Sequence, residues 1–212
     1  MIAMEPIAAH GLWAATYDET PNPLLALEER VLEPLLPPLC GSRAVDVACG
    51  CGRWARRLSA RGSQVVAADL CREMLLRAAG WRVLADANAL PLPAGIADLT
   101  ICAFALSYME PCLRELARIT RPGGTVIVSD MHPAAAERGW TRSFRAGRDR
   151  IAIETRRYTL DSLHAPGLAL TALKESPLGE PERPIFESAG KLAQFDNACR
   201  GPAIYVAKFI RQ

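Results

Sequence analysis

The stretch Arg43-Ala-Val-Asp-Val-Ala-Cys-Gly-Cys-Gly52 joins a short apolar run to a Gly-rich turn. The apolar run predicts a buried strand, and the residues from Arg53 to Arg61 predict a helix directly after the turn. Glycine lets a backbone approach a ligand closely, and the N–H groups at the start of a helix point toward that ligand. This order of elements indicates an α/β fold with a ligand site at the turn.

The alternation of strand and helix extends along most of the chain. Further apolar strands are predicted over residues 64–69, 81–86, 97–104 and 125–130, the last of them after a turn at Pro122-Gly-Gly124. Helices are predicted over residues 22–36, 72–79 and 111–119. Continuous apolar strands that alternate with helices are typical of βαβ units around a parallel sheet that is buried on both faces.

The C-terminal part of the chain adds two strands to this sheet. Residues 168–174 and 203–210 predict strands with a helix near 187–198 between them, and residues 150–157 favour an extra strand. We therefore expect the α/β class: a single doubly wound, mostly parallel seven-stranded sheet with helices on both faces and an antiparallel C-terminal edge strand. Since no Gly/Ser linker divides the chain, one domain is expected over residues 1–212, with an N-terminal helical lid (1–40), a cofactor-binding core (41–130) and sheet-edge and substrate-side elements (131–212).

Composition and charge exclude several classes of protein. The 212 residues include 25 basic and 23 acidic side chains, and this near balance argues against a dedicated nucleic-acid binder. The longest apolar stretch is well short of a membrane span, and no basic segment precedes the apolar N-terminal residues as in an export signal. Seven cysteines without a Cys-x-x-Cys pair indicate a reduced cytoplasmic protein, and we expect no metal site at Cys49 and Cys51.

Acidic side chains lie near the ends of two predicted strands beside the turn. Asp46 comes just before the turn, and Asp69 follows Gly52 by seventeen residues at the end of the next strand. An acid at that second position can accept hydrogen bonds from both hydroxyls of a ribose, so an adenosine-containing cofactor is expected. Gly50-x-Gly52-x-x-Ala55 also fits the dinucleotide fingerprint, which leaves an NAD(P)-dependent oxidoreductase as an alternative.

Four segments stand in an order and at a spacing that together indicate a family. They are VDVACGCGRWA (45–55), VVAADLCREMLLRA (65–78), VLADANALPLPAGIADLTICAFAL (83–106) and ELARITRPGGTVIVSD (115–130). Together they resemble the class I S-adenosylmethionine-dependent methyltransferases of Rossmann-like fold, in particular the small type 11, ubiquinone-biosynthesis-like group. The resemblance covers about residues 40–132, and more loosely the whole chain. Two features depart from the family: Ala48 stands where a Gly is frequent, and the segment 104–113 is short.

The resemblance implies that S-adenosyl-L-methionine binds at the turn and leaves as S-adenosyl-L-homocysteine. It implies that the turn, with Ala48, Gly50 and Gly52, passes under the methionine part of the cofactor. Asp46 would orient the ammonium group, and Asp69 would hold the ribose hydroxyls. The other implied contacts are Leu70 and Met74 on adenine, Asp86 and Ala87 at the adenine amino group, Ala103 and Phe104 beside the sulfonium, and Tyr17 as a lid tyrosine.

The acceptor side is less well defined by the sequence. His132 is the candidate base, because it follows the fifth strand and a neutral imidazole can take up a proton; a loop position or a hydrogen bond to substrate is the alternative. His10 and His164 are less well placed. The candidates for the substrate pocket are Trp13, Tyr108, Met131 and Trp140, together with Phe144, and core packing explains each of them equally well. The basic run Arg142, Arg145, Arg148 and Arg150 is expected to be a solvated loop, with an anchor for a substrate carboxylate or phosphate as the alternative.

These features predict an enzyme that transfers a methyl group to a small-molecule acceptor by in-line displacement, with oxygen favoured over nitrogen. The chain lacks the Asn/Asp-Pro-Pro-Tyr/Phe motif, which argues against methylation of nucleic-acid or protein amide nitrogens. We expect no nucleic-acid or membrane partner, and a monomer or a homodimer. A non-catalytic cofactor-binding protein on the same fold is a second alternative.

Overall fold

A computed structural model of the chain describes residues 1–19 and 21–212. Its strands are β1 (Ile2–Met4), β2 (Arg43–Val47), β3 (Gln64–Asp69), β4 (Trp81–Leu84), β5 (Ala97–Ala103), β6 (Thr120–Met131), β7 (Ser143–Ala146), β8 (Asp149–Ile153), β9 (Leu168–Ser176) and β10 (Ile204–Arg211). Its α-helices are α1 (Pro6–Trp13), α2 (Pro23–Leu32), α3 (Arg53–Ala60), α4 (Arg72–Leu75), α5 (Leu113–Ile119), α6 (Pro133–Glu137), α7 (Arg183–Ser188) and α8 (Phe195–Ala198).

Seven strands form the large sheet in the order β4-β3-β2-β5-β6-β10-β9. Strands β2 to β6 are parallel to one another, and β10 runs antiparallel to both of its neighbours, β6 and β9. The fold class expected from the sequence is confirmed, with the C-terminal strand one position inside the edge and β9 at the edge itself. The chain leaves β2 toward β3 on one side and later returns to β5 on the other. This reversal opens a crevice at the carboxyl ends of β2 and β5.

Helices cover both faces of the large sheet because successive residues of each strand point in opposite directions. On one face, Leu27 of α2 and Trp54 and Leu58 of α3 pack against Ile101 and Ile127. These side chains are almost fully buried, and each contributes about 1.5–3 kcal/mol of hydrophobic stabilisation.

On the opposite face, Leu113, Leu116 and Ile119 of α5 pack against Val45 and Val47 of β2. The apolar positions of α5 recur every three or four residues and so form one buried stripe. Asp46 lies between the two valines and therefore points to the other face, toward α3.

The N-terminal region expected to be a helical lid begins with a strand. Strand β1 pairs in parallel with β8, and β8 pairs antiparallel with β7, which gives a separate three-stranded sheet. The extra strand expected over 150–157 exists as β8, and it belongs to this small sheet. The basic run expected to be a solvated loop lies mostly in the β7–β8 hairpin, where Arg145, Arg148 and Arg150 are exposed. The hairpin packs on Trp13 through the buried side chains of Phe144, Ile151 and Ile153.

Several expected element boundaries differ in the structure. The helix near 187–198 is divided into α7 and α8, since Gly190 adopts a φ of +65° and ends the first helical segment. The helix expected over 72–79 ends as an α-helix at Leu75. The turn at 122–124 lies inside β6, where the register with β5 jumps from Thr120 to Thr125.

The described residues contain no helix that is long and apolar enough to cross a membrane. Within the same part of the chain, no group of three or more His, Cys, Asp or Glu side chains is arranged to hold a metal ion. The seven cysteines are all free thiols.

The two glycines of the turn differ in what surrounds them. Gly52 begins α3 with a φ of +75°, and a Cβ added there would lie 2.8 Å from the Cβ of Ala78. Gly50 has a φ of +55°, and a Cβ there would meet nothing within 4 Å. Gly52 therefore allows close packing between two segments, whereas Gly50 leaves space beside the turn.

We expect Gly52→Ala to destabilise the protein more than Gly50→Ala. Both variants carry the left-handed backbone strain of about 1–2 kcal/mol, and Gly52→Ala adds an overpacking cost of about 1–3 kcal/mol against Ala78. The free energy of unfolding from urea denaturation measures the difference. Equal losses in the two variants would show that the segment around Ala78 moves aside and that the packing explanation is wrong.

Candidate active site

A cavity of about 290 Å³ lies at the carboxyl ends of the parallel strands. The turn after β2 forms one wall of it, and the end of β3, the segment after β4, the end of β5 and the N-terminal region contribute the others. Most residues that the sequence nominated line this one cavity: Tyr17, Asp46, Ala48, Gly50, Asp69, Leu70, Met74, Asp86, Ala87, Ala103, Phe104 and Tyr108. The nominated residues that lie outside its lining are Gly52, Trp13, Met131, His132, Trp140 and Phe144.

Two carboxylates hold the turn in place. Asp69 Oδ2 accepts a hydrogen bond from the N–H of Gly50 at 2.7 Å, and its Oδ1 accepts one from the N–H of Cys71 at 2.7 Å. Asp46 Oδ2 accepts from the N–H of Ala55 in the first turn of α3 at 2.8 Å. The middle of the turn is thereby fixed to β3, and the start of α3 is fixed to β2.

The backbone of the turn is left-handed at alternate residues. Ala48, Gly50 and Gly52 have φ values of +52°, +55° and +75°. Glycine adopts this conformation freely, whereas Ala48 is strained by about 1–2 kcal/mol. Gly50 faces open space on the cavity side, but Gly52 faces Ala78, so the expectation that Gly52 also passes under a ligand is not supported.

Asp46 is buried, and its environment shifts its titration into the neutral range. Burial raises its pKa to about 7, with smaller contributions in the same direction from Asp69 and Glu28. The hydrogen bond from Ala55 and the charge of Arg53 act in the opposite direction. A cation placed in the cavity would therefore bind most strongly to the ionised form of Asp46, which predominates only above neutral pH.

Asp69 shares this desolvated environment. Burial raises its pKa, and the N–H groups of Cys71, Gly50 and Leu70 partly offset the effect by stabilising the charged form. A carboxylate offers about four lone pairs, so those not used by these backbone donors can accept hydrogen bonds from a ligand.

The residues nominated for adenine line the part of the cavity that follows β3 and β4. Leu70 is 46% exposed, whereas Met74 is fully buried and its Sδ accepts a hydrogen bond from Cys51 Sγ at 3.3 Å. Asp86 is exposed and accepts from the N–H of Asn88 at 2.8 Å, and Ala87 is buried. This wall is apolar, with one carboxylate at its exposed side.

The end of β5 carries a strained aromatic residue. Phe104 has a φ of +55°, which is a rare conformation for a bulky side chain, and its N–H donates to Ser129 O at 2.8 Å. Its ring lies under the guanidinium of Arg142, with 4.8 Å between the ring centroid and Cζ. Strain of this kind persists where surrounding contacts fix the chain, and it clusters at functional sites.

An aromatic cluster covers the cavity from the N-terminal side. Trp13 stacks on Phe144 with a centroid distance of 4.7 Å and meets the edge of Tyr17 at 4.8 Å. His10 makes an edge contact with Tyr108 at 4.9 Å. Burial raises the pKa of Tyr17 and of Tyr108, so both phenols are neutral at physiological pH.

Arg142 lines the cavity although the sequence favoured a solvated position for it. Its side chain is 6% exposed, and Nη1 has no hydrogen-bond partner among the described residues. The nearest carboxylate oxygen, Asp130 Oδ1, lies 3.9 Å from Nη1, beyond hydrogen-bond distance. Both Asp130 oxygens already accept from backbone N–H groups, those of Ser107 and Met131.

His10 is the histidine that lines the cavity. Its Nδ1 lies 2.7 Å from the carbonyl oxygen of Pro6, which assigns the ring proton to Nδ1. Burial lowers its pKa to about 4, and the charge of Arg142 adds to this effect. No spacing pattern in the sequence predicts that His10 and Arg142 line this cavity. The two residues come together only because β1 pairs with β8, which joins two remote parts of the chain.

His132 lies away from the cavity that the sequence assigned to it. Its Nδ1 accepts a hydrogen bond from the N–H of Ala134 at 3.0 Å, and its Nε2 lies 2.7 Å from Oε2 of Glu175 on β9. Both ring nitrogens are engaged, and the side chain caps the start of α6. This geometry does not support the assignment of His132 as the catalytic base.

The other substrate-pocket candidates divide between the core and a second cavity. Met131 is buried, and its carbonyl oxygen accepts from the hydroxyl of Tyr158 at 3.3 Å. Trp13 and Trp140 line a cavity of about 720 Å³ beside α7 and α8. Arg142 lines this second cavity as well as the first.

Comparison with known proteins identifies the domain that this cavity belongs to. Residues 45–128 match the profile of a family described as a methyltransferase domain. They form a methyltransferase domain. The match spans β2 to most of β6 and includes Asp46, the turn and Asp69, so the family expected from the sequence is confirmed.

Two curated relatives resemble the part of the chain around the methyltransferase domain. A malonyl-[acyl-carrier protein] O-methyltransferase of Salmonella typhimurium is 35% identical over 135 residues, which are 58% of this chain and 52% of that protein. A biotin biosynthesis bifunctional protein of Cellvibrio japonicus is 29% identical over 143 residues, which are 61% of this chain and 28% of that protein. The chain thus spans about half the length of one relative and less of the other.

The fold of the methyltransferase domain also occurs in solved structures. An S-adenosylmethionine-dependent methyltransferase from Mesorhizobium loti matches 87% of this chain and 97% of its own, with a TM-score of 0.66 and 24% identity. This likeness supports the arrangement of strands and helices. The enzyme class and the cofactor expected from the sequence agree with these matches, whereas the oxidoreductase alternative gains no support from them.

We expect His132→Ala to reduce stability through the loss of the cap on α6. The free energy of unfolding, measured by urea denaturation, should fall by about 1–2 kcal/mol. Glu175→Gln serves as a control, since it leaves the Nδ1 cap intact and should have a smaller effect. An unchanged free energy of unfolding in His132→Ala would show that these contacts do not stabilise the protein. His132 would then again be a candidate for the catalytic base.

Proposed function

We propose that this chain transfers a methyl group from S-adenosylmethionine to an oxygen atom of a small-molecule acceptor. The observation that carries the proposal is the pair Asp46 and Asp69 on either side of the Gly50 turn, in one cavity at the carboxyl ends of β2 and β3. The match of residues 45–128 to a methyltransferase domain supports it.

The residues of the cavity suit the groups of this cofactor. The cofactor carries an ammonium group and a sulfonium, and Asp46 supplies a buried carboxylate that an ammonium group would hold in its charged form. Asp69 supplies lone pairs for two ribose hydroxyls. The open space at Gly50 admits a ligand against the backbone of the turn, and the apolar wall at Leu70 and Met74 suits an adenine ring.

The protein contributes position and exclusion of water to the reaction. S-adenosylmethionine, when bound, supplies an electrophilic methyl group on a positively charged sulfur. Asp46 and Asp69 orient the two ends of the cofactor, and Phe104 and Ala103 line the floor between them. Trp13, through its contact with Tyr17, supports the cover on the N-terminal side and limits the access of water.

An oxygen acceptor is favoured by the relatives of this chain. The Salmonella typhimurium relative is named as an O-methyltransferase. The alignment covers about half of that protein.

We expect the protein to bind S-adenosylhomocysteine, the product of the cofactor, and Asp69→Ala to weaken this binding at least about hundredfold. The variant removes two hydrogen bonds to a charged acceptor, each of which contributes about 1.5–3 kcal/mol. Isothermal titration calorimetry measures the dissociation constant. NADH is titrated in parallel, because an oxidoreductase would use Asp69 in the same way.

Asp98→Ala is the matched control for this titration. Asp98 is also an acidic residue of the large sheet, but it bonds to Arg43 and Arg121 near the start of β5, away from the cavity. Its removal should leave the affinity unchanged. Binding of NADH without S-adenosylhomocysteine, or equal weakening in both variants, would contradict the proposal.

We also expect the affinity for S-adenosylhomocysteine to decrease as the pH falls below 7. The pKa of Asp46 is about 7 in the protein alone, and the ammonium group of the ligand binds the ionised carboxylate. The dissociation constant should therefore approach a rise of about tenfold for each pH unit below this pKa. Calorimetry between pH 6 and pH 8 measures the slope.

Asp46→Asn tests the origin of that slope. The variant cannot ionise, so its affinity should be weaker and nearly independent of pH over the same range. The same pH dependence in Asp46→Asn and in the unchanged protein would place the titrating group elsewhere and contradict the role given to Asp46.

A further inference from the structure

The strongest unexplained feature of the molecule is the guanidinium of Arg142. It is nine-tenths buried, its Nη1 has no hydrogen-bond partner among the described residues, and it lies at a position common to the two cavities. A buried cation whose donors are unused is costly unless a ligand supplies the acceptors. Arg142 therefore marks a site for an anion.

The environment of Arg142 fixes the orientation of its side chain. The guanidinium lies over the rings of Phe104 and Tyr108, with 4.8 Å and 5.5 Å from Cζ to the ring centroids. Asp130 balances part of the charge without accepting a hydrogen bond from Nη1. A planar guanidinium held in this way is prepared for two parallel hydrogen bonds to a carboxylate.

The second cavity supplies a compartment next to this cation that has one apolar wall and a polar side with Lys191, Gln194 and Asn197. Its walls include Trp13, Trp140, Leu178, Ile185 and Phe186. Its volume of about 720 Å³ is within the range of ordinary ligand pockets. A molecule with a carboxylate at one end and an apolar body would place the first at Arg142 and the second among these side chains.

We propose that Arg142 and the second cavity form the acceptor subsite of this protein, and that the acceptor is a carboxylic acid with an apolar body. The proposal rests on the methyl-transfer function proposed above, because Arg142 also borders the cavity assigned to the cofactor. Arg142 sets the specificity for the charged end of the acceptor, and the cavity wall sets the specificity for its body.

Binding of simple probes tests the subsite without any turnover. Octanoate carries the charge and an apolar chain, acetate carries the charge alone, and octanamide carries the chain without the charge. Calorimetric titrations are made with the full chain, both free and saturated with S-adenosylhomocysteine. We expect octanoate to bind at least about tenfold more tightly than either control, because octanamide lacks the charge-assisted pair with Arg142 and acetate lacks the chain that would be buried in the cavity.

Variants of the β7–β8 region assign the effect to one side chain. Arg142→Gln should weaken the binding of octanoate at least about tenfold. Arg142→Lys should recover part of that loss in affinity. Arg145→Gln is the matched control, because Arg145 belongs to the same hairpin and is exposed. The affinity of the Arg145→Gln variant for octanoate should not change. Thermal denaturation shows whether each variant is folded.

Three results would overturn the proposal. Equal binding of octanoate and octanamide would show that the charge is not recognised, and equal binding of octanoate and acetate would show that the apolar wall of the cavity is not used. Unchanged octanoate affinity in folded Arg142→Gln would remove Arg142 from the subsite. If S-adenosylhomocysteine still binds in these cases, only the acceptor proposal fails; if that ligand does not bind at all, the proposed function fails independently of octanoate.

Discussion

The attachment of one turn to two carboxylates, the buried Asp46 and the partly buried Asp69, determines the geometry of the candidate site. Asp46 holds the N-terminus of α3 through the N–H of Ala55, and Asp69 holds the middle of the turn through the N–H of Gly50. The turn that makes both contacts has left-handed conformations at three alternate residues. Because the carboxylates come from neighbouring parallel strands, the same bonds that shape the turn also place two acidic groups at one edge of the sheet.

A further carboxylate secures the wall of the cavity. Glu28 of α2 is fully buried and accepts hydrogen bonds from Trp54 Nε1 at 3.1 Å, Arg53 Nη2 at 2.6 Å and Ser129 Oγ at 2.7 Å. These bonds satisfy a charge that would be costly to bury alone. They also join α2, α3 and β6, so Trp54 and Arg53 are held where they line the cavity.

The proposed acceptor side is built in a different way from the cofactor side. The turn, Asp46 and Asp69 belong to consecutive elements of the βαβ core, whereas His10 and Arg142 lie 132 positions apart in the chain. The parallel pair of β1 and β8 and the stacking of Trp13 on Phe144 bring these two segments together. This division separates a core that recognises a cofactor from a peripheral layer whose side chains can specify an acceptor.

The sequence by itself determined the parallel core and the position of the turn. Apolar runs and the Gly-rich segment are local signals, and the carboxyl ends of parallel strands meet at one edge, so Asp46 and Asp69 could be placed in the same cavity from sequence alone. Only the tertiary structure decided the positions of His10, Arg142 and His132. His132 follows β6 as expected, but the direction of its ring depends on Glu175, a partner on a strand 43 residues further along the chain. Arg142 resembles a surface residue in sequence and is buried because β7 and β8 pack on the N-terminal helix. Local periodicity carries no information about such contacts between remote segments, and for that reason the proposed acceptor subsite could not be derived before the fold was known.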